Sequence, residues 1–143
     1  MGIIDFIRDV GEKLGIGGGS GPSASDLQAS LNKLGLPSDG LDIGVSGDTV
    51  KVSGKTASQE LKEKIILALG NVNGVGKVEE SIDTPAGDVA TLYTVQKGDT
   101  LSAIAKKHYG DASKYNAIFE ANKPMLTHPD KIYPGQVLRI PKA

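Results

Sequence analysis

The chain has 143 residues and a net charge of −1, with basic residues spread evenly along it, so it lacks the basic face of a nucleic-acid binder. It contains no cysteine, which excludes disulfides, a thiol nucleophile and thiolate metal sites. Hydrophobic residues make up 38% but aromatic ones only 4%, so one domain or two small ones are expected, with cores of Val, Ile, Leu and Ala.

Ile3, Ile7, Val10 and Leu14 recur at helical spacing and predict an N-terminal helix over residues 1–14. Such a helix is too short to stand alone and must dock on the domain that follows. Gly11 and Gly15 weaken its end, which leaves carbonyls of residues 7–12 without helical partners. Asp5, Arg8 and Asp9 interrupt the apolar residues and no small-residue cleavage site follows, so no export signal is read here. No apolar run reaches the ~18 residues of a membrane span. A cytoplasmic protein is therefore expected. Met1-Gly2 does not read as a myristoylation site, because Phe6 stands where Ser or Thr is required.

Residues 15–24 read as a Gly/Ser linker, and no Gly-Lys-Ser/Thr follows to make a phosphate-binding loop. Ser25 to Gln28 reads as a capping box opening a helix with Leu27, Leu31 and Leu34 inward, stopped by Gly35 and Pro37. Residues 41–45 and 49–52 read as strands joined through Ser46-Gly47-Asp48. Thr56 to Gln59 is a second capping box, before a helix with Leu61, Ile65, Ala68 and Leu69 on one face. A strand over 75–82 follows.

Between that helix and strand lies Gly70-Asn71-Val72-Asn73-Gly74-Val75-Gly76. Its glycines allow left-handed backbone angles. Its carbonyls include those left unpaired at a helix C-terminus, and a cluster of neutral carbonyls suits a weakly hydrated monovalent cation. A glycine cap followed by an ordinary turn accounts for the same residues, and from them alone it is the simpler reading.

The α-β-β-α-β order over 25–83 resembles the BON domain, through Thr49-Val50-Lys51-Val52-Ser53-Gly54, the helix after it, and Gly74-Val75 before Val78. That resemblance implies a binding role, including at membranes, and no catalytic residues. Residues 84–90 read as a second linker. From Tyr93 through Ala105, then Tyr109-Gly110, Ala121-Asn122, Ile132 to Gln136 and Leu138 to Pro141, residues 91–143 resemble a LysM domain. A β-α-α-β unit is expected, with Leu101, Ile104 and Ala105 inward on the first helix. Tyr115, Ile118 and Phe119 face inward on a second helix over 113–121, and a strand over 136–140 closes the unit. The fold class expected is α+β: two small domains, with the N-terminal helix docked on the first.

The LysM resemblance implies a groove for N-acetylglucosamine-containing glycans such as peptidoglycan, lined by Gly98, Asp99, Thr100 and Leu101 with Ile132, Tyr133, Pro134 and Gly135 opposite. Asp99 and Thr100 have a sufficient role as cap residues and Pro134-Gly135 as a turn. Without an export signal the domain reads as a scaffold ahead of a glycan reader. A BON-mediated membrane-surface adaptor is the second alternative. His108 reads as packing beside Tyr109, His128 as a loop residue, and the pairs Glu79-Glu80 and Asp99-Asp111 as surface charge. No enzyme activity is expected.

A BON domain joined to a C-terminal LysM domain behind a short apolar segment resembles a family of small cytoplasmic bacterial potassium-binding proteins. The most distinctive stretches are residues 1–14, 64–75, 120–125 and 130–141; the short Gly/Ser linker is the main departure. The resemblance implies K+ held by the main-chain oxygens of Ile7, Val10, Glu12, Gly70, Val72 and Val75, with Rb+, Cs+ or NH4+ as substitutes. It further implies a monomeric ion sensor or buffer whose domains close on the ion.

Overall fold

The computed structural model describes residues 2–6, 23–36, 40–72, 75–85, 87, 89–123 and 125–141. In chain order these form β1 (Gly2–Asp5), α1 (Ala24–Leu34), β2 (Leu41–Ser46), β3 (Thr49–Lys55), α2 (Gln59–Gly70) and β4 (Lys77–Asp83). A second unit follows: β5 (Thr91–Thr94), α3 (Leu101–Tyr109), a 3-10 turn (Ala112–Lys114), α4 (Tyr115–Ala121) and β6 (Val137–Ile140). The fold class is α+β, as expected.

The first unit is a four-stranded sheet in the order β1-β4-β3-β2. The hairpin β2–β3 turns at Gly47, whose φ of 63° suits glycine. β3 and β4 run parallel, an arrangement that needs a crossover, and α2 provides it. Val50 and Val52 of β3 with Val78 and Ile82 of β4 are buried, the strand alternation expected where one face meets helices.

The N-terminal residues correct the sequence reading. Gly2–Asp5 is a strand, antiparallel to β4 with Ile4 opposite Val78, and not the start of a helix. An isolated short helix is marginal, whereas β4 presents an unpaired edge that the β-branched Ile3 and Ile4 fit well. Phe6 follows β1 in non-helical backbone, and residues 7–14 of the expected helix lie outside the described residues.

Both capping boxes are also displaced. α1 starts at Ser23, whose hydroxyl accepts from the Asp26 N–H at 3.2 Å while the Asp26 carboxylate accepts from the Ser23 N–H at 3.0 Å. α2 is capped by Ser58, which accepts from the Leu61 N–H at 3.1 Å; Thr56 instead bonds the Ser58 carbonyl and the Thr84 hydroxyl. A neighbouring serine sits better at the point where the chain leaves extended geometry, and local rules resolve such boundaries only to a residue or two.

In the second unit, β5 and β6 pair antiparallel, with Thr94 opposite Val137. Thr100 caps α3 through the Ala103 N–H at 3.1 Å, and Gly110 ends that helix at a φ of 75°. Tyr115, expected inward, is exposed; Ile118 and Ala121 carry the buried face of α4.

The two units share one core, in which Leu27, Ile65 and Val78 belong to the same apolar cluster as Ile104, Ile118 and Leu138. α2 lies at its centre. The sequence predicts one apolar face for this helix, yet every residue from Ile65 to Gly70 is buried. A helix buried all round has partners on both sides. The sheet supplies one and the second unit the other, with Leu67 beside Asn122 and Met125.

Candidate functional site

The turn after α2 is held from three directions. Its own bonds close the helix: the Asn71 N–H donates to the Leu67 carbonyl at 3.0 Å and the Val72 N–H to Leu69 at 3.4 Å, while the Val75 N–H donates to the Val72 carbonyl at 3.1 Å. Val72 and Val75 are buried. On the hairpin side, the Asp48 carbonyl accepts from the N–H groups of Gly76 at 2.9 Å and Lys77 at 3.3 Å. On the N-terminal side, the Phe6 N–H donates to the Gly76 carbonyl at 2.9 Å, and the buried Phe6 ring lies against Gly70.

Gly70 therefore has a different role from the one its sequence context suggests. It is the last residue of α2, it does not adopt a left-handed conformation, and Asn71 after it has φ −82°. What the position requires is the absence of a side chain: a Cβ built on Gly70 would fall inside the Phe6 ring.

The third support comes from the second unit. The Asn71 side chain is fully buried and bonds the backbone of Val137 twice, Nδ2 donating to the carbonyl and Oδ1 accepting from the N–H, both at 2.9 Å. Nδ2 also approaches the Met125 sulfur at 3.3 Å. Along β6 the same motif recurs: Asn122 bonds the Arg139 carbonyl at 3.0 Å and N–H at 2.8 Å. In an antiparallel pair alternate residues turn their N–H and C=O away from the partner strand. On the edge of β6 facing away from β5, two carboxamides thus stand where a third strand would.

Near the other end of α2, Arg139 donates to Glu63 Oε1 through Nε at 3.1 Å and Nη2 at 2.9 Å, and through Nη1 to the Ala121 carbonyl at 3.1 Å. Glu63 Oε2 accepts from Gln59 at 3.1 Å and from the Ala90 N–H at 3.0 Å. Both charges are buried and fully committed, so this is a structural junction. A cleft of about 510 Å³ beside it, lined in part by Ser58, Glu60, Glu120 and Arg139, lies at the N-terminal end of α2, away from the Gly70 turn. Glu80, read as surface charge, is buried too, paired with Lys62 at 3.3 Å.

Of the six carbonyl positions implied by resemblance, Gly70, Val72 and Val75 lie together on the one buried turn; Ile7, Val10 and Glu12 lie outside the described residues. The helix C-terminus adds the negative end of its dipole there. A carbonyl oxygen has two lone pairs, so the bond from Val75 to Val72 does not exclude a second ligand. Among the described residues no group of three or more His, Asp or Glu side chains could hold a metal ion. A donor set of neutral oxygens suits a large monovalent ion better than Mg2+ or Ca2+, which call for carboxylates.

The residues of the implied glycan groove have local structural roles. Asp99 does not cap α3; it accepts from the Tyr93 hydroxyl at 2.6 Å and the Gln96 N–H at 2.8 Å. Those bonds hold its carboxyl below the usual range, and the same contact pushes the Tyr93 phenol up to about 12. Thr100 is the cap, Leu101 is buried, and Gly98 turns at a φ of 87°. Across from them, Gly135 donates to the Val95 carbonyl at 2.9 Å, Tyr133 is buried, Ile132 half-buried and Pro134 exposed. His108 stacks edge-on against Tyr93, with centroids 5.3 Å apart, and not on Tyr109; the His128 Nδ1 accepts from the Asp130 N–H at 3.1 Å.

Phe6, Asn71 and Asp48 are the positioning residues that sequence reasoning missed. Phe6 passes as one more apolar residue of the expected helix, and Asn71 as a turn residue after glycine.

The BON domain family matches residues 23–85 and the LysM domain family residues 93–141. The chain is 49% identical to the potassium binding protein Kbp of Escherichia coli, with 99% of each chain covered. It is 34% identical to an uncharacterized protein of Deinococcus radiodurans, over 74% of this chain and 46% of that one. A 52% identity to Esterase Rv1288 of Mycobacterium tuberculosis spans only 10% of the esterase, too small a share to bring its activity along. With a BON domain followed by a LysM domain and near-complete coverage by its relative, the chain belongs to the family of the potassium binding protein Kbp.

Proposed function

We propose that this chain binds K+ through main-chain carbonyl oxygens, those of Gly70, Val72 and Val75 on the turn and of Ile7, Val10 and Glu12 on the N-terminal segment. The ion then ties that segment to the BON domain, draws the LysM domain against both, and compacts the protein. One observation carries the reading: Phe6 is seated on Gly70 and bonded to Gly76, so the N-terminal segment reaches the turn immediately before its first proposed ligand. The 49% identity to a potassium binding protein supports the choice of ion. Rb+, Cs+ and NH4+ are ions the same oxygens would accept.

Because the ligands are backbone oxygens, side chains act through geometry, and Glu12→Gln should matter far less than Gly74→Val. An ion that binds only the closed form stabilises it by RT ln(1 + [L]/Kd), about 2.7 kcal/mol at a hundredfold excess over Kd. That is enough to bias a marginal domain–domain equilibrium. The role that follows is sensing or buffering of cytoplasmic K+ by a monomer. Among the described residues no helix is long and apolar enough to cross a membrane.

The test is a KCl titration of salt-depleted protein against NaCl at matched ionic strength, following thermal stability and radius of gyration. A saturable, K+-selective stabilisation with compaction is expected. Identical responses to the two salts would overturn the reading.

A further inference from the structure

The side chain between two of the proposed carbonyl ligands belongs, by its contacts, to the other domain. Asn71 lies between Gly70 and Val72, and its carboxamide is spent entirely on Val137 and Met125 of the LysM domain. It bonds one residue of β6 as a neighbouring strand would, through a donor and an acceptor in parallel. A carboxamide held at both ends, in a fully buried site, has no freedom to rotate. Its backbone is held as well, by the Asn71 N–H on Leu67. The peptide unit before its Cα carries the Gly70 carbonyl, and the one after it carries the Val72 N–H, which donates to Leu69 and sets how the chain enters Val72. LysM docking and the aim of the Gly70 oxygen therefore depend on one side chain.

We infer that Asn71 is a positioning residue through which LysM docking sets the geometry of the cation site, and through which the bound ion strengthens LysM docking in return. This rests on the potassium reading above. Coupling of this kind is reciprocal: whatever factor docking adds to ion affinity, the ion adds to docking.

β6 carries its own control. Asn122 makes the same paired bonds to Arg139, but from α4 within the LysM domain and away from the turn. Asn71→Asp and Asn122→Asp remove the same donor and set a carboxylate against a backbone carbonyl. A purely structural role predicts similar consequences for both.

The experiment measures K+ affinity and the K+-to-Na+ preference of the full-length wild type, Asn71→Asp and Asn122→Asp. It also measures amide exchange at Val137 and Arg139 in wild type with and without K+, which needs no variant to fold. Asn71→Asp should weaken K+ binding about tenfold or more, within the usual range of coupling between sites, and erode the preference over Na+. Asn122→Asp should lower stability with K+ affinity kept. Saturating K+, and not Na+, should slow exchange of the Val137 N–H, which Asn71 holds, with little change at Arg139.

If wild type responds to K+ selectively but Val137 exchange does not, this inference fails while the potassium reading stands. Equal losses of affinity in the two variants, or unchanged affinity in Asn71→Asp, also overturn it. A wild type without any K+-selective response removes both.

Discussion

The Phe6 ring occupies the space that a side chain on Gly70 would need, so the two residues specify each other. Gly70 is the last residue of α2 and has no positive φ, so its backbone alone would accept Ala and gain a little from it. Here the added methyl group must displace a buried ring, an overpacking that costs roughly 1–3 kcal/mol. Gly70→Ala should therefore destabilise the wild type, and should become neutral or stabilising in a Phe6→Ala background. Denaturant unfolding of the two singles and the double measures the coupling. Equal effects of Gly70→Ala in both backgrounds would show that Phe6 is not the reason for glycine.

Glu63 and Arg139 are 7% and 6% exposed at the side chain and join the two domains. Removing one partner of such a pair leaves a buried charge and costs about 3–5 kcal/mol, whereas replacing both is often near neutral. Arg139→Met should be severely destabilising. Glu63→Gln combined with Arg139→Met keeps an acceptor for the Ala90 N–H and should recover most of the loss. A double variant as unstable as Arg139→Met would mean that the arginine contributes through its packing and its bond to Ala121.

The bond between Tyr93 and Asp99 makes stability depend on pH at both extremes. Asp99 is held below its ordinary range, first by the Tyr93 hydroxyl and then by the Gln96 N–H, so its contribution is complete above the unfolded value of ~3.9 and fades as pH falls through the lower folded one. The Tyr93 phenol is raised to about 12 by the same bond, so its contribution is complete below ~10 and is lost as pH rises toward the folded value. Asp99→Asn should flatten the acid slope and let Tyr93 ionise earlier. Tyrosinate absorbance, with Tyr93→Phe to assign the late-titrating group, measures the second effect. An Asp99→Asn titration that overlays the wild type would rule out the bond in solution.

Gly54 on β3 has a φ of 133°, and a Cβ there would run into the Gly40 carbonyl. The strained angle alone is of order 1–3 kcal/mol for another residue. The backbone clash comes on top, since Gly54 faces Leu41 across the hairpin. Gly54→Ala should lower the unfolding midpoint strongly, and Gly44→Ala on β2, which has open space around it and no positive φ, should change it little. Comparable stabilities for the two variants would show that the strand can shift to accommodate the methyl group.

Much of the secondary structure was legible from local signals. Gly35, Gly47 and Gly110 each take the left-handed angle their turn or cap requires, and Thr100 caps α3 where its spacing predicts. The site was legible only in outline. The apolar run Ile65-Ile66-Leu67-Ala68-Leu69 already hinted at burial on both faces of α2, but periodicity reports one face and does not name what covers the other.

By itself the sequence determined the helices and hairpin from Leu27 through Ile82, the capped start of α3 and the kinship of each half, because caps, turns and alternation act within a few residues. The tertiary structure decided the rest. Gly2–Asp5 became a strand because β4 had an open edge; Asn71 met Val137 across 66 residues, and Glu63 met Arg139 across 76. Such pairings form because buried polar groups and strand edges must find partners, and which partner is near is a property of the packed chain.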